Sequence, residues 1–247
     1  MTSQLELDRR HMLGGIAFGL GGAMLAACGG RAGAQASLAC AATPTETRGP
    51  FPGDGTNGIN ALAMAGIERS DIRTSFAGMG GRAGGVPLEL DIVLNGGTGS
   101  CRPLAGHAVY LWQNDAAGDY SLYNRTDANY LRGLQRTDAQ GRVRFTSIVP
   151  GCYGGRYPHC HFEVFESADA AMRGDRPLLV SQLAFPEAEC RAIYRDDARY
   201  GDSLRNLDRQ PMSRDFVFAD TGAAGQIVAM RGDPARGFSG SAMVALG

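Results

Sequence analysis

Two histidines one residue apart close the run Tyr153-Gly154-Gly155-Arg156-Tyr157-Pro158-His159-Cys160-His161-Phe162. Side chains alternate along a strand, so His159 and His161 project from one face and Cys160 from the other. Phe162, Val164 and Phe165 favour such a strand, and it is bounded by Gly and Pro before and Ser167-Ala168-Asp169 after. The pair is either half of a metal site or two hydrogen-bonded core histidines. Two tyrosines supply the other half. Tyr120 follows the turn Gly118-Asp119, and Tyr153 follows Val149-Pro150-Gly151-Cys152. Each alone also fits a ring packed over a hairpin. Phenolate is a hard anionic oxygen donor and imidazole suits iron and zinc, so two of each favour ferric iron over magnesium or a thiolate-seeking metal.

Composition removes whole classes of chemistry. All 24 basic residues are arginine, which excludes Schiff-base lysines, a P-loop lysine and lysine-dependent serine hydrolases. Only His11, His107, His159 and His161 are available for histidine chemistry, and His11 falls in a targeting segment. The formal net charge of -1 gives no reason to expect nucleic acid or another polyanion as partner.

That targeting segment spans residues 1–28. Arg9-Arg10 precedes an apolar, Gly- and Ala-rich stretch from Leu13 to Ala27, the layout of a twin-arginine export signal. Leu25-Ala26-Ala27-Cys28 has the form of a lipobox, so Cys28 is the expected lipid anchor and the protein an exported, membrane-anchored lipoprotein. Fifteen glycine-diluted residues are short for a bilayer core of about 30 Å. Cys40, Cys101, Cys152, Cys160 and Cys190 remain, an odd number, so at least one is free or intermolecular.

Residues 29–42 read as a tether, and 43–85 as an extended arm and coil packed on a core, since Pro44, Pro50 and Pro52 oppose helix. From residue 86 to 247 the texture is that of a β domain. Strands are expected at Pro87 to Leu94, Gly106 to Trp112, Arg142 to Ile148, His159 to Phe165, Leu178 to Phe185, Arg214 to Ala219 and Gly225 to Met230. A helix is expected from Pro186 to Asp196, with Glu187 and Glu189 in its first turn. The fold class is therefore mainly β: an antiparallel β-sandwich with one or two short helices and an extended N-terminal arm.

From Cys101 to Phe185, about a third of the chain, the sequence resembles the intradiol ring-cleavage dioxygenases, the family of protocatechuate and catechol dioxygenases, and especially its secreted single-domain members. The matching pieces are Pro103 to Gly106, Trp112-Gln113-Asn114 with Gly118-Asp119-Tyr120, Leu131 to Gln135 with Thr137 to Gly141, Pro150 to Tyr153, Gly155 to Phe162, and Ser181 to Phe185. The resemblance implies that Tyr120, Tyr153, His159 and His161 bind a non-haem Fe(III) ion. It implies cleavage of a catechol-type diol with O2 to a cis,cis-muconate-type product. It also implies that Arg156 stabilises negative charge on the ring, that Gln182 lies beside the substrate, and that the Tyr153 phenolate leaves the metal to hold a proton. Guanidinium stays cationic at any working pH, which suits that role.

The chain departs from the family between Tyr153 and His159, where it is shorter than the intracellular enzymes, and at Cys160, which replaces an aliphatic residue. No helical dimerisation segment like that of catechol dioxygenases is visible. Two other functions fit parts of the sequence. One is a lipid-anchored sandwich that binds an aromatic or sugar ligand without turnover. The other is a zinc hydrolase built on His107, His159 and His161.

Overall fold

The computed structural model describes residues 41–97 and 101–247. The targeting segment, Cys28 and nearly all of the expected tether lie outside them. Two sheets face each other. The first contains β1 (Pro87–Gly96), β2 (Arg102–Pro103), β5 (Arg142–Ile148), β8 (Ala229–Asp233) and β9 (Gly237–Ala245). The second runs β4-β3-β6-β7, with β3 at Ala108–Trp112, β4 at Arg132–Arg136, β6 at His159–Phe165 and β7 at Leu179–Ala184. Three short helices lie in the connections: α1 (Ala168–Arg173) between β6 and β7, and α2 (Glu187–Asp196) and α3 (Ser203–Arg209) between β7 and β8.

The mainly β sandwich is as expected, but its elements differ: Arg132–Arg136 forms β4 where no strand was expected, and there are three helices instead of one or two. The first sheet is not wholly antiparallel, because β9 returns to lie parallel to β1 from Leu88↔Phe238 to Asn95↔Ala245. Strand β9 escapes a reading of hydrophobic alternation because its inward positions include Gly240 and Ala242, too small to mark a face. Arg214 to Ala219 is not a strand, and β8 begins only at Ala229. There the Asp215 carboxylate accepts hydrogen bonds from the N–H groups of Val217 at 2.9 Å and Phe218 at 3.3 Å, so the backbone turns instead of joining a ladder. The helix from residue 187 to 196 is present, with acidic residues in its first turn and Arg195 in its last.

The layout of β6 decides where chemistry can occur. Cys160, Phe162 and Val164 point between the sheets into the main core with Leu90, Leu111 and Phe145. Cys160 is thus a free, buried small hydrophobe, and Cys152 and Cys190 are also free while Cys101 is disulfide-bonded. His159, His161, Glu163 and Phe165 occupy the opposite face. That face is not open to water either, since the whole strand is buried. A second apolar cluster, including Leu62, Ile67, Tyr110, Trp112 and Tyr120, covers the outer side of this sheet.

Residues 43–54 hold the cover in place. The backbone N–H of Glu46 bonds to the Val180 carbonyl at 2.9 Å on the exposed edge of β7, which satisfies a strand edge that would otherwise be bare. Arg132, fully buried on β4, donates to the carbonyls of Pro52 at 2.7 Å and Phe51 at 3.0 Å and to that of Ser121 at 2.9 Å. One guanidinium thereby ties the arm to the turn that carries Tyr120.

Candidate metal and substrate site

Tyr120 and Tyr153 arrive on two loops that touch. In the first, Asp115 Oδ1 accepts from the N–H groups of Ala117 and Asp119 at 3.0 Å each, folding the chain back after β3. The second loop crosses it at Gly151, where any Cβ would stand 2.4 Å from the Ala116 carbonyl oxygen. Only glycine permits that crossing, and the crossing sets the two phenols side by side with ring centroids 5.8 Å apart. Strand β6 delivers the two imidazoles opposite them.

The six residues singled out in the sequence come together at one point. His159 Nε2 lies 3.0 Å from His161 Nε2 and 3.4 Å from both the Tyr120 and Tyr153 hydroxyls. Arg156 Nη1 reaches the same nitrogen at 3.1 Å, and its Nη2 donates to Gln182 Oε1 at 2.6 Å. Gln182 in turn donates to the Thr47 carbonyl at 2.7 Å, which brings the arm to the site. Gly49 passes so close that a Cβ would sit 3.2 Å from His161 Cε1.

Tautomers follow from these contacts. His159 Nδ1 faces the Tyr157 carbonyl at 2.6 Å, and a carbonyl can only accept, so Nδ1 carries the proton and Nε2 presents a lone pair. A histidine that donates its far nitrogen to a backbone carbonyl is the usual support of a metal ligand. Burial, then the Arg156 charge, lowers His159 to about 3. Burial, then His159, holds His161 well below its ordinary value. Both imidazoles are neutral. Burial raises Tyr120 well above the ordinary phenol range, with Tyr153 adding to it, and burial also raises Tyr153. In the protein alone both phenols keep their protons, and a multiply charged cation is what would release them. His161 Nε2 and the two phenol oxygens lie 3.0 to 3.4 Å from His159 Nε2, spacings that fit donors sharing one first-row metal ion at about 2 Å. The donor set therefore fits iron.

The rings are locked by packing. Trp112 stacks on His161 with centroids 5.0 Å apart and planes 7° from parallel, and Phe51 of the arm lies 4.9 Å from Tyr120. Neither contact is visible in a one-dimensional reading.

Asp215 is the largest omission from that reading. It is fully buried and accepts from Arg156 Nε at 3.0 Å and from the Tyr157 N–H at 2.7 Å. Burial opposes its charge, but these bonds outweigh burial and leave its pKa lowered. A lone acid ahead of the apolar Phe216-Val217-Phe218 was the available signal, since a carboxylate buried among apolar residues needs a cation. The exposed Phe216 ring covers the same guanidinium from outside, 4.8 Å away. His107 stands elsewhere. It precedes β3, whose far end Trp112 pairs with His161, a separation of about 17 Å by strand rise. Among the described residues no three His, Cys, Asp or Glu side chains gather at one point, so the zinc trio is not assembled.

Glu163, next along this face, is buried and paired with Arg48 Nε at 3.0 Å. Burial, followed by the neighbouring Asp54, raises it to about 7 despite Arg48. A carboxyl held above its ordinary value folds best protonated, so its contribution is complete below pH about 4.5 and is lost as pH rises towards 7. In urea unfolding from pH 4 to 8, the wild type should lose up to about 3 kcal/mol relative to Glu163→Gln across that window. A difference between the two proteins that does not vary with pH contradicts this environment for Glu163.

Residues 79–180 match the sequence family described as Dioxygenase. The chain is 37% identical over 117 residues to the protocatechuate 3,4-dioxygenase beta chain of Burkholderia cepacia, an overlap of 41% of this chain and 47% of that one. It spans about half the length of the curated relatives it matches. The fold of an intradiol ring-cleavage dioxygenase from Tetranychus urticae superposes with a TM-score of 0.65 at 22% identity, covering 84% of this chain and 94% of that one. The dioxygenase domain of a dioxygenase and carbohydrate-binding protein fusion from Streptomyces sp. SirexAA-E superposes with a TM-score of 0.54 at 25% identity, covering 83% and 98%. In sequence through its centre and in fold over most of its length, the chain is similar to intradiol ring-cleavage dioxygenases.

Proposed function

We propose that this protein is a non-haem iron(III) intradiol dioxygenase that opens the ring of a catechol-type diol between its hydroxylated carbons with O2, giving a cis,cis-muconate-type product. The observation that carries the proposal is the meeting of Tyr120, Tyr153, His159 and His161 at one point within reach of Arg156 and Gln182. Tyr120, Tyr153, His159 and His161 would hold the ion. When bound, ferric iron withdraws electron density from a chelated catecholate and makes its ring open to dioxygen.

The chain's own residues do the rest. Tyr153 is the less buried of the two phenols, and with a cation bound its phenolate oxygen would accept a proton from an incoming diol hydroxyl. Arg156 aims a fixed positive charge at the place where negative charge develops on the ring. It needs no reorientation, because Asp215 holds its Nε and Gln182 its Nη2. Trp112, Tyr120 and Phe51 keep water from the far side of the imidazoles, which strengthens every charge interaction there.

The purified protein should contain about one iron per chain and be reddish, because phenolate-to-ferric charge transfer absorbs visible light. Metal analysis with a visible spectrum decides this. A colourless preparation that holds zinc and takes up no ferric ion would overturn the proposal.

A further inference from the structure

The rim of the six-residue site carries an aromatic side chain that neither the core nor the metal donors use. Phe216 is 73% exposed, and an apolar ring left in water forgoes the stabilisation that burial would give it. Its backbone is held on both sides. Before it, buried Asp215 is paired with Arg156 at 3.0 Å; after it, buried Val217 and Phe218 bond their N–H groups to the Asp215 carboxylate at 2.9 and 3.3 Å. Arg156 Cζ lies over the ring, 4.8 Å from its centre, and Arg156 Nη1 is 3.1 Å from His159 Nε2. The ring thus stands one guanidinium away from the metal donors, with its outer side free.

The wall beside it is low. Tyr153 and Arg156 are joined by a turn in which the Arg156 N–H bonds to the Tyr153 carbonyl at 3.3 Å, and its two middle residues are Gly154 and Gly155. Both are exposed, and a Cβ on either would meet nothing within 4 Å. Gly155 has φ +87°, which calls for glycine, but Gly154 is outside the left-handed region, so there the missing side chain means only room. Between the Tyr153 phenol and the Arg156 guanidinium the site opens outward.

A catechol whose two hydroxyls face the metal donors points its remaining ring carbons away from them. A substituent on those carbons leaves past the two glycines and beside Phe216, which offers it an apolar aromatic face. An anionic substituent would be repelled by Glu46 of the arm, which lies within electrostatic reach of Arg156 and Asp215. A cationic one would stand against Arg156 itself, under the ring. We propose that Phe216 and the Gly154-Gly155 turn form a subsite for an uncharged aryl substituent, which makes aryl-substituted catechols better substrates than catechol itself. The subsite presupposes the dioxygenase reading, which supplies the catechol.

Titration of the iron-loaded protein without oxygen, followed in the visible band, gives a Kd for each catechol apart from turnover. 4-Phenylcatechol should bind about tenfold more tightly than catechol, the scale of one added aromatic pair, and cationic dopamine and anionic 3,4-dihydroxybenzoate no more tightly than catechol. Phe216→Ala should bring the ratio of the catechol and 4-phenylcatechol constants to about one, Phe216→Tyr should preserve it, and Gly154→Trp, which raises the wall, should invert it. Ratios of kcat/KM in oxygen should follow the same order. A wild-type ratio near one, a ratio that Phe216→Ala leaves unchanged, or tightest binding of a charged catechol overturns the subsite and leaves the dioxygenase reading standing. No uptake of iron, or no binding of any catechol by the iron-loaded protein, overturns both.

Discussion

Replacing His161 with alanine should abolish iron binding and ring cleavage together. Its Nε2 is 3.0 Å from that of His159, and the ring is stacked on Trp112, so the substitution removes a donor that packing had already fixed in place. No neighbour can replace it, because Glu163 on the same face is held by Arg48 and Cys160 points into the opposite core. The loss should bring iron content below the detection limit of metal analysis, and oxygen uptake on catechol to background. The protein should stay folded, since a deletion inside an aromatic stack costs a few kcal/mol at most. His107→Ala is the matched control. Standing about 17 Å from His161 by strand rise, it should change neither quantity. Metal loss in the His107 variant with retention in the His161 variant would reverse the assignment.

Arg156→Leu separates holding the metal from doing the chemistry. Arginine donates and never ligates, so iron and colour should persist while kcat falls by about 10²- to 10³-fold, as for removal of one preorganised electrostatic group. The substitution also strands Asp215, a carboxylate with no exposed surface, and breaking a buried pair costs about 3 to 5 kcal/mol. The double variant Arg156→Leu/Asp215→Asn removes that stranded charge. It should regain stability in urea unfolding without regaining turnover. Recovery of kcat in the double variant would show that Arg156 acts only as Asp215's structural partner.

Much of this site was legible because its residues are local in sequence. His159, His161 and Arg156 sit within six positions of one another, and strand alternation alone puts both imidazoles on one face. Tyr120 and Tyr153 needed their turns, which glycine and proline announce. Gln182 came through family resemblance, and its register opposite His161 on β7 explains its place. What could not be read was what covers and braces the site from a distance. Arg132 grips carbonyls 80 and 81 residues away, Thr47 reaches Gln182 across 135, and Asp215 meets Arg156 across 59. Such contacts leave no periodic trace. Asp215 was further hidden by its setting, since Phe216-Val217-Phe218 looks like strand until its carboxylate is seen taking the backbone N–H groups for itself.

The six residues are proposed to cleave a catechol between its two hydroxylated carbons. Mass spectrometry of the product formed by the iron-loaded protein under ¹⁸O2 tests it most directly. The expected product is a dicarboxylic acid of the muconate type that carries both labelled atoms, one in each new carboxyl group. An aldehyde-bearing product from cleavage beside the diol, or no consumption of O2 with any catechol in a panel despite full iron loading, would contradict it.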